Sequence, residues 1–396
     1  MLRTEYSMKQ NEIFADAKWI CAGEYSHEGA SKADERGVPH FPIIRSHFDL
    51  KKVKKATLYV IGLGFFYCYI NGKRISEDAF LPLYTDYEPK DDYPKDEVVT
   101  GHRIYVPHYD VTDLLTEGEN VLAIHYGGGW YVRETFFYRD PNYGFGSAKA
   151  IYRLEVETED GKYDIVSSEN DLVGDSYVKT YVISAYENHD YNGFDDSCFE
   201  KDYDDSAWKK VMLAKPLDTE YMFTECPADR IHEELSPVFT VETDGMRCYD
   251  SGRNCAQIPV LKLKGQKGDV VTVEFAEEKN PDGSPDMQFH YGQKVSFVCD
   301  GKERIVRPMF TWFAYRYFRV SGNAEVVCTK VIHTDVKVNS YFDCDNETLN
   351  WLYKAFLNTQ LSNMHLGVPS DCPHIERRGY TGDGQLVCHR DRKSVV

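Results

Sequence analysis

ATLYVIGLGFFYCYINGKRI, residues 56–75, is a nearly unbroken run of β-branched and aromatic side chains with Asn71-Gly72 in its second half. Such side chains suit a pleated, half-buried surface. The Asn-Gly pair supplies the positive φ angles of a two-residue hairpin turn. This stretch therefore predicts strands closed by a tight turn, and its neighbours repeat the pattern. RIYVPHYDVTDLL (103–115) and GENVLAIHYGGGWY (118–131) follow, punctuated by Gly118 and the Gly127–Gly129 run. AIYRLEVETEDGKYDIV (150–166) reads as a hairpin turning at Asp160-Gly161, and DDSAWKKV (204–211) sets one buried-type Trp in a polar surround. Short strands between turn signals indicate a β-sandwich, here over residues 14–225.

LAKPLDTEYMFTECPADRIHEELSP (213–237) is polar, carries three prolines and reads as a linker or crossing segment. A second β block follows. VLKLKGQKGDVVTVEFAEE (260–278) reads as strand, turn, strand; SFVCDGKERIV (296–306) turns at Asp300-Gly301; FTWFAYRYFRVSG (310–322) alternates strongly. Residues 238–338 are thus expected to form a second, jelly-roll-like sandwich. From about 341 the pattern becomes helical. In DNETLNWLYKAFLNTQLSNM (345–364), Leu349, Leu352, Tyr353, Phe356 and Leu357 share one helix face, with Asp345 and Asn346 as N-cap candidates. One helix cannot bury such a face alone, so 341–390 reads as the opening of a helical domain. The last residues, DRKSVV (391–396), can be encoded by a string matching a common sequencing-library adapter and are expected to be a non-native tail.

Composition narrows the function. The 396 residues carry a formal charge of −18, which argues against nucleic acid or an anionic membrane as partner. No apolar run approaches the ~20 residues of a membrane span, and MLRTEYSMKQNEIFADAKW (1–19) lacks an apolar signal core. Eleven cysteines without a CxxC read as reduced thiols, so the expected setting is cytoplasmic. Aromatic residues, 14% of the chain, fit β structure and also sugar binding. Cys372, His374, Cys388 and His389 match no common zinc spacing, and no Walker, GxGxxG or G-x-S-x-G pattern occurs. No cofactor and no metal are expected.

Chemistry concentrates in VPSDCPHIERRGYTGDGQ (368–385), where Asp371, Glu376 and Asp383 stand among two arginines, a tyrosine and three glycines. Pro369 and Pro373 break any helix, which makes this a loop. Clustered carboxylates suit glycoside hydrolysis, in which one acid donates a proton and others remain ionised. A surface loop of solvated ion pairs fits the same spacing.

The stretch resembles the motif of the α-L-rhamnosidase family of glycoside hydrolases, spelled D-C-P-x-R-x-E-R-x-G-[WY]-x-G-D-x-Q. Here Asp371 to Glu376 is one residue shorter than that spelling, and Ile375 stands where it has arginine before the acid. The resemblance extends to the 56–75 and 109–131 stretches, as in the family's N-terminal sandwich, and to 249–278 and 307–322, as in its next β domain. The helix near 346–364 then resembles the opening of an (α/α)6 barrel, incomplete in this chain. The resemblance implies an inverting hydrolase of terminal α-L-rhamnosyl linkages acting on a rhamnose-containing oligosaccharide or glycoside. Glu376 would be the general acid; Asp371 and Asp383 would bind rhamnose hydroxyls; Arg377 would hold carboxylates or hydroxyls; Tyr380 would pack on the sugar. The general base, by resemblance a glutamate, lies outside this chain. Some family members bind rhamnose with calcium in the first sandwich. NGFDDSCFEKDYDDSAW (192–208) departs from the expected G-E-x-x-D-A-R, so Asp195, Asp196, Asp204 and Asp205 are read as surface turn residues. The alternative reading is a non-catalytic carbohydrate-binding β-sandwich protein.

Overall fold

The computed structural model of the chain describes residues 8–23, 41–88, 101–132, 145–375, 377, 379 and 382. It divides into two compact units, Met1–Lys179 with Phe194–Glu225 and Thr180–Gly193 with Cys226–Val396. Strands dominate, and the sheets form sandwich-like arrangements.

In the first unit the 56–75 stretch contributes to two different sheets. Val53–Leu63 lies antiparallel to Lys149–Thr158 in one, and Phe66–Ile70 pairs with Gly118–Tyr126 in the other. The chain crosses between sheets at Gly64-Phe65, where the backbones touch: a Cβ on Gly64 would sit 1.9 Å from the carbonyl oxygen of Gly128. The Gly127–Gly129 run is thus a packing surface for this crossing. Gly64→Ala is expected to lower stability by about 1–3 kcal/mol through overpacking, read as a fall in the urea midpoint; an unchanged midpoint would show that the crossing yields freely. The two sequence hairpins form as expected. Asn71 and Gly72 take φ of 50° and 80° between Phe66–Ile70 and Lys73–Arg74, and Lys149–Thr158 pairs with Lys162–Val166 around Gly161.

The acidic stretch at 192–208 is partly a buried anchor. Asp195 and Asp204 accept hydrogen bonds from Ser197 N and Ser206 N in turns. Asp205 instead pairs with the fully buried Arg45 at 2.8 Å, and Arg45 also donates to the carbonyls of Cys198 and Glu200. The reading of Asp205 as a surface turn residue is corrected accordingly: a buried guanidinium needs a counter-charge.

In the second unit ten strands share one hydrogen-bonded network. The 18-residue strand Met246–Leu263 changes partners along its length. It pairs with Phe313–Ser321 up to Gln257 and with Ala324–Thr334 from Gln257 onward, with an irregularity between Asp250 and Cys255. Tyr186–Asp190, from the stretch read as part of the first sandwich, runs parallel to Lys294–Val298 in this unit. The segment read as a linker contains Asp229–Leu235, antiparallel to Ala324–Thr334. Asp300-Gly301 does turn the chain, but its flanking strands pair with other partners.

Two buried groups, one in each unit, make opposite contributions to stability as pH changes. Burial among Tyr152 and Ser46 pushes the Asp171 carboxyl up to about 6. Burial pulls His333, stacked on His232 at 3.8 Å, down to about 4. A raised carboxyl binds its proton more tightly in the folded state, so Asp171 favours folding increasingly as pH falls from about 6 towards 4. A depressed imidazole does the reverse, and His333 costs stability as pH falls from 6.5 to about 4. Each effect is on the order of 3 kcal/mol. Hydrogen exchange of wild type against Asp171→Asn and His333→Gln should show the contributions in separate units with opposite signs. The same sign for both would refute the assignment.

Candidate functional site

The described start of the carboxylate motif, with Asp371, follows a helix whose ends are set locally. Asn346 caps Glu347–Ser362 by accepting from Thr348 N and Leu349 N at 3.0 and 3.2 Å; Asp345 is not the cap. The predicted apolar face lies open: Leu352 is 54% exposed, and Leu349, Leu352, Tyr353 and Phe356 line a groove of about 820 Å³ with residues 336–342. After the helix, Met364–His365 and Val368–Pro369 make a short hairpin. Its turn residues Leu366 and Gly367 both have positive φ, and a Cβ on Gly367 would meet Cys226 Sγ at 2.2 Å, so glycine is required there.

Asp229 ties this hairpin down. Its buried carboxylate accepts from Leu366 N at 2.7 Å, from Thr334 Oγ1 at 2.8 Å and from His365 Nδ1 at 2.5 Å. Thr334 Oγ1 in turn accepts from Gly367 N at 3.0 Å. His365 stacks on Trp312 at 3.9 Å.

Arg377 ties down the other end. It is buried at a positive φ of 56°. Nε donates to Pro373 O at 2.8 Å, Nη2 to Trp312 O at 2.6 Å, and Nη1 to Thr311 Oγ1 at 2.8 Å and to Ile183 O. The guanidinium lies 4.5 Å from the Trp312 ring centre. Burial lowers its pKa to about 9, which leaves it charged at neutral pH. Thr311 and Trp312 are themselves held: Thr311 Oγ1 donates to Ile183 O, and the buried Glu187 accepts from Met309 N and Phe310 N at 2.6 and 2.8 Å. The resemblance gives Arg377 a place among carboxylates or sugar hydroxyls; among the described residues its hydrogen bonds go to main-chain carbonyls and Thr311.

Between these anchors Asp371 is exposed, free of the burial that holds its neighbours. His374 is half-buried; desolvation lowers its pKa, Arg377 lowers it further, and Glu277 and Asp371 oppose the shift. Glu376, Tyr380 and Asp383 lie outside the described residues. The anchors Asp229, His365 and Trp312 escape sequence reading because they come from separate segments. Among the described residues no group of three His, Cys, Asp or Glu is placed to hold a metal ion. No helix among them is long and apolar enough to cross a membrane.

Three family models cover most of the chain: the alpha-L-rhamnosidase N-terminal domain at residues 51–233, the bacterial alpha-L-rhamnosidase concanavalin-like domain at 241–338, and the bacterial alpha-L-rhamnosidase 6 hairpin glycosidase domain at 337–392. An alpha-L-rhamnosidase of Formosa agariphila is 25% identical over 85% of this chain and 36% of its own length. One of Streptomyces avermitilis is 29% identical over 94% of this chain and 38% of its own length. The crystal structure of Streptomyces avermitilis alpha-L-rhamnosidase complexed with L-rhamnose superposes with a TM-score of 0.79 at 27% identity, over 88% of this chain and 34% of that one. The chain thus spans well under half the length of the relatives it matches. With matching domain models in consecutive order and a matching β architecture, this chain belongs to the α-L-rhamnosidase family.

Proposed function

We propose that this chain is the acid-bearing portion of an inverting α-L-rhamnosidase that cleaves terminal α-L-rhamnosyl linkages. The observation that carries this reading is the position of the Asp371–Asp383 motif. It lies within the span matched by the six-hairpin glycosidase model, and its described start follows a capped helix. Glu376 is assigned as the general acid. Asp371 and Asp383 hold rhamnose hydroxyls, and Tyr380 packs on the ring. Arg377 acts by anchoring, since Nε, Nη1 and Nη2 each donate inside the protein. Inversion requires a second carboxylate roughly 6.5–9.5 Å from the acid, to activate water; this base is placed outside the present chain. A cytoplasmic setting belongs to the same proposal and rests on the cysteine pattern.

The purified chain is therefore expected to bind L-rhamnose weakly, in the millimolar range, without hydrolysing a chromogenic α-L-rhamnoside. Turnover abolished by Glu376→Gln would retain the acid and overturn the placement of the base. Failure of L-rhamnose to bind would overturn the substrate. Saturable binding that is indifferent to Glu376→Gln and Asp371→Asn would favour the non-catalytic carbohydrate-binding reading.

A further inference from the structure

One side chain touches both anchors that flank Asp371. Trp312 lies one residue before the strand Phe313–Ser321 and is fully buried. The His365 imidazole stacks on its indole, with ring centres 3.9 Å apart and planes 21° apart. The Arg377 guanidinium lies 4.5 Å from the same ring centre, within cation–π range. The main chain of Trp312 also accepts from Arg377 Nη2. The backbone leading into Trp312 is fixed, because buried Glu187 accepts from Met309 N and Phe310 N, and Thr311 Oγ1 donates to Ile183 O. Asp371 stands between the anchored points. On one side Ser370 N donates to Asn363 O at 2.8 Å, which closes the hairpin that Asp229 and His365 hold. On the other, Pro373 O accepts from Arg377 Nε at 2.8 Å. Asp371 itself is exposed, so its backbone and not a packed wall sets where its carboxylate stands.

We propose that Trp312 is a positioning residue for Asp371. It couples the Asp229–His365 anchor to Arg377, and so sets the geometry in which Asp371 meets a sugar hydroxyl. The ligand in this inference rests on the α-L-rhamnosidase reading; the coupling does not. Asp229 bonds Thr334, His365 and Leu366, whereas Arg377 bonds Ile183, Thr311, Trp312 and Pro373, so the two share no hydrogen-bond partner. The indole, in contact with His365 and with Arg377, is the link between them. Loosening either anchor shifts the ring's contact with the other, and the stretch around Asp371 loses one of its two fixed ends. A carboxylate held in place beforehand spares the ligand part of the ordering cost of binding. A tryptophan that merely filled the core would support stability in proportion to its volume and would carry no signal from Asp229 to Arg377.

The test uses the full chain and follows hydrogen exchange of the Arg377 Nε proton by NMR, with and without Asp229→Asn. That substitution is expected to speed exchange at least about fivefold. In a Trp312→Leu or a His365→Gln background it should change exchange by less than about 1.5-fold. Trp312→Phe keeps an aromatic face and should keep the coupling. His365→Gln takes the imidazole off the indole and leaves Trp312 in the core, which preserves the test if Trp312→Leu does not fold. L-rhamnose affinity, titrated on the same variants, should fall about fivefold in Trp312→Leu and His365→Gln and be largely retained in Trp312→Phe. Exchange indifferent to Asp229→Asn, or equally coupled in folded Trp312→Leu or His365→Gln, overturns the proposal. L-rhamnose affinity unchanged in those folded variants overturns the positioning role and leaves the rhamnosidase reading standing. If exchange is coupled as expected but L-rhamnose fails to bind the unaltered chain, the coupling stands and the rhamnosidase reading falls.

Discussion

Asp229→Ala is expected to lower the stability of the second unit by about 3–5 kcal/mol, because it strands several buried donors at about 1–3 kcal/mol each. Three donors converge on that carboxylate: Leu366 N, Thr334 Oγ1 and His365 Nδ1. Alanine strands the amide and the imidazole in a site where Asp229 itself is fully buried. Asp229→Asn should cost less, because one amide oxygen still accepts while the NH2 group faces donors. The readout is urea-dependent hydrogen exchange along Met246–Leu263, with the first unit as internal control. A loss below about 1 kcal/mol would mean that the hairpin is held by packing alone. A double-mutant cycle with His365→Gln should show coupling of at least about 1 kcal/mol, since the two side chains touch.

Arg377 sets two effects against each other. Its hydrogen bonds, each from a charged donor, are worth about 1.5–3 kcal/mol apiece. Against them stands the desolvation that pulls its pKa down to about 9. Arg377→Ala removes the bonds and leaves a void, so a loss of about 2–4 kcal/mol is expected. Arg377→Met keeps the stem packed near Trp312 and discards the buried charge; its loss should be less than half as large. Arg377→Lys keeps the charge without the planar fork that reaches Trp312 O, Thr311 Oγ1 and Pro373 O together, so it should resemble alanine. The order Met, then Lys and Ala together, is the discriminating result. Lysine outperforming methionine would instead indicate that Arg377 serves a negative partner. Chemical denaturation, with hydrogen exchange resolving the second unit, reads all three.

Local chemistry made the elements legible. Asn71-Gly72 and Asp160-Gly161 close the expected hairpins because positive φ is a property of the turn residues themselves. The helix at Glu347–Ser362 follows from its apolar spacing and the Asn346 cap, both contained within a few residues. The carboxylate motif was legible for the same reason, as a contiguous string opened by the helix-breaking Pro369 and Pro373.

Pairing and burial were not legible, because both depend on partners far along the chain. Nothing near Asp300-Gly301 indicates that its two flanking strands belong beside different neighbours. Nothing in 180–193 signals that it joins the second unit. Arg377 and Asp371 look alike in sequence as polar residues of one loop. Only the convergence of Ile183, Thr311 and Trp312 buries the guanidinium and leaves the carboxylate open. By itself, then, the sequence determined the β-rich class, the turns, the capped helix and the carboxylate motif, because periodicity and turn chemistry act over neighbouring residues. The tertiary structure alone decided which strands pair, which charged groups anchor the loop and which face outward, because desolvation is imposed by whatever packs from elsewhere.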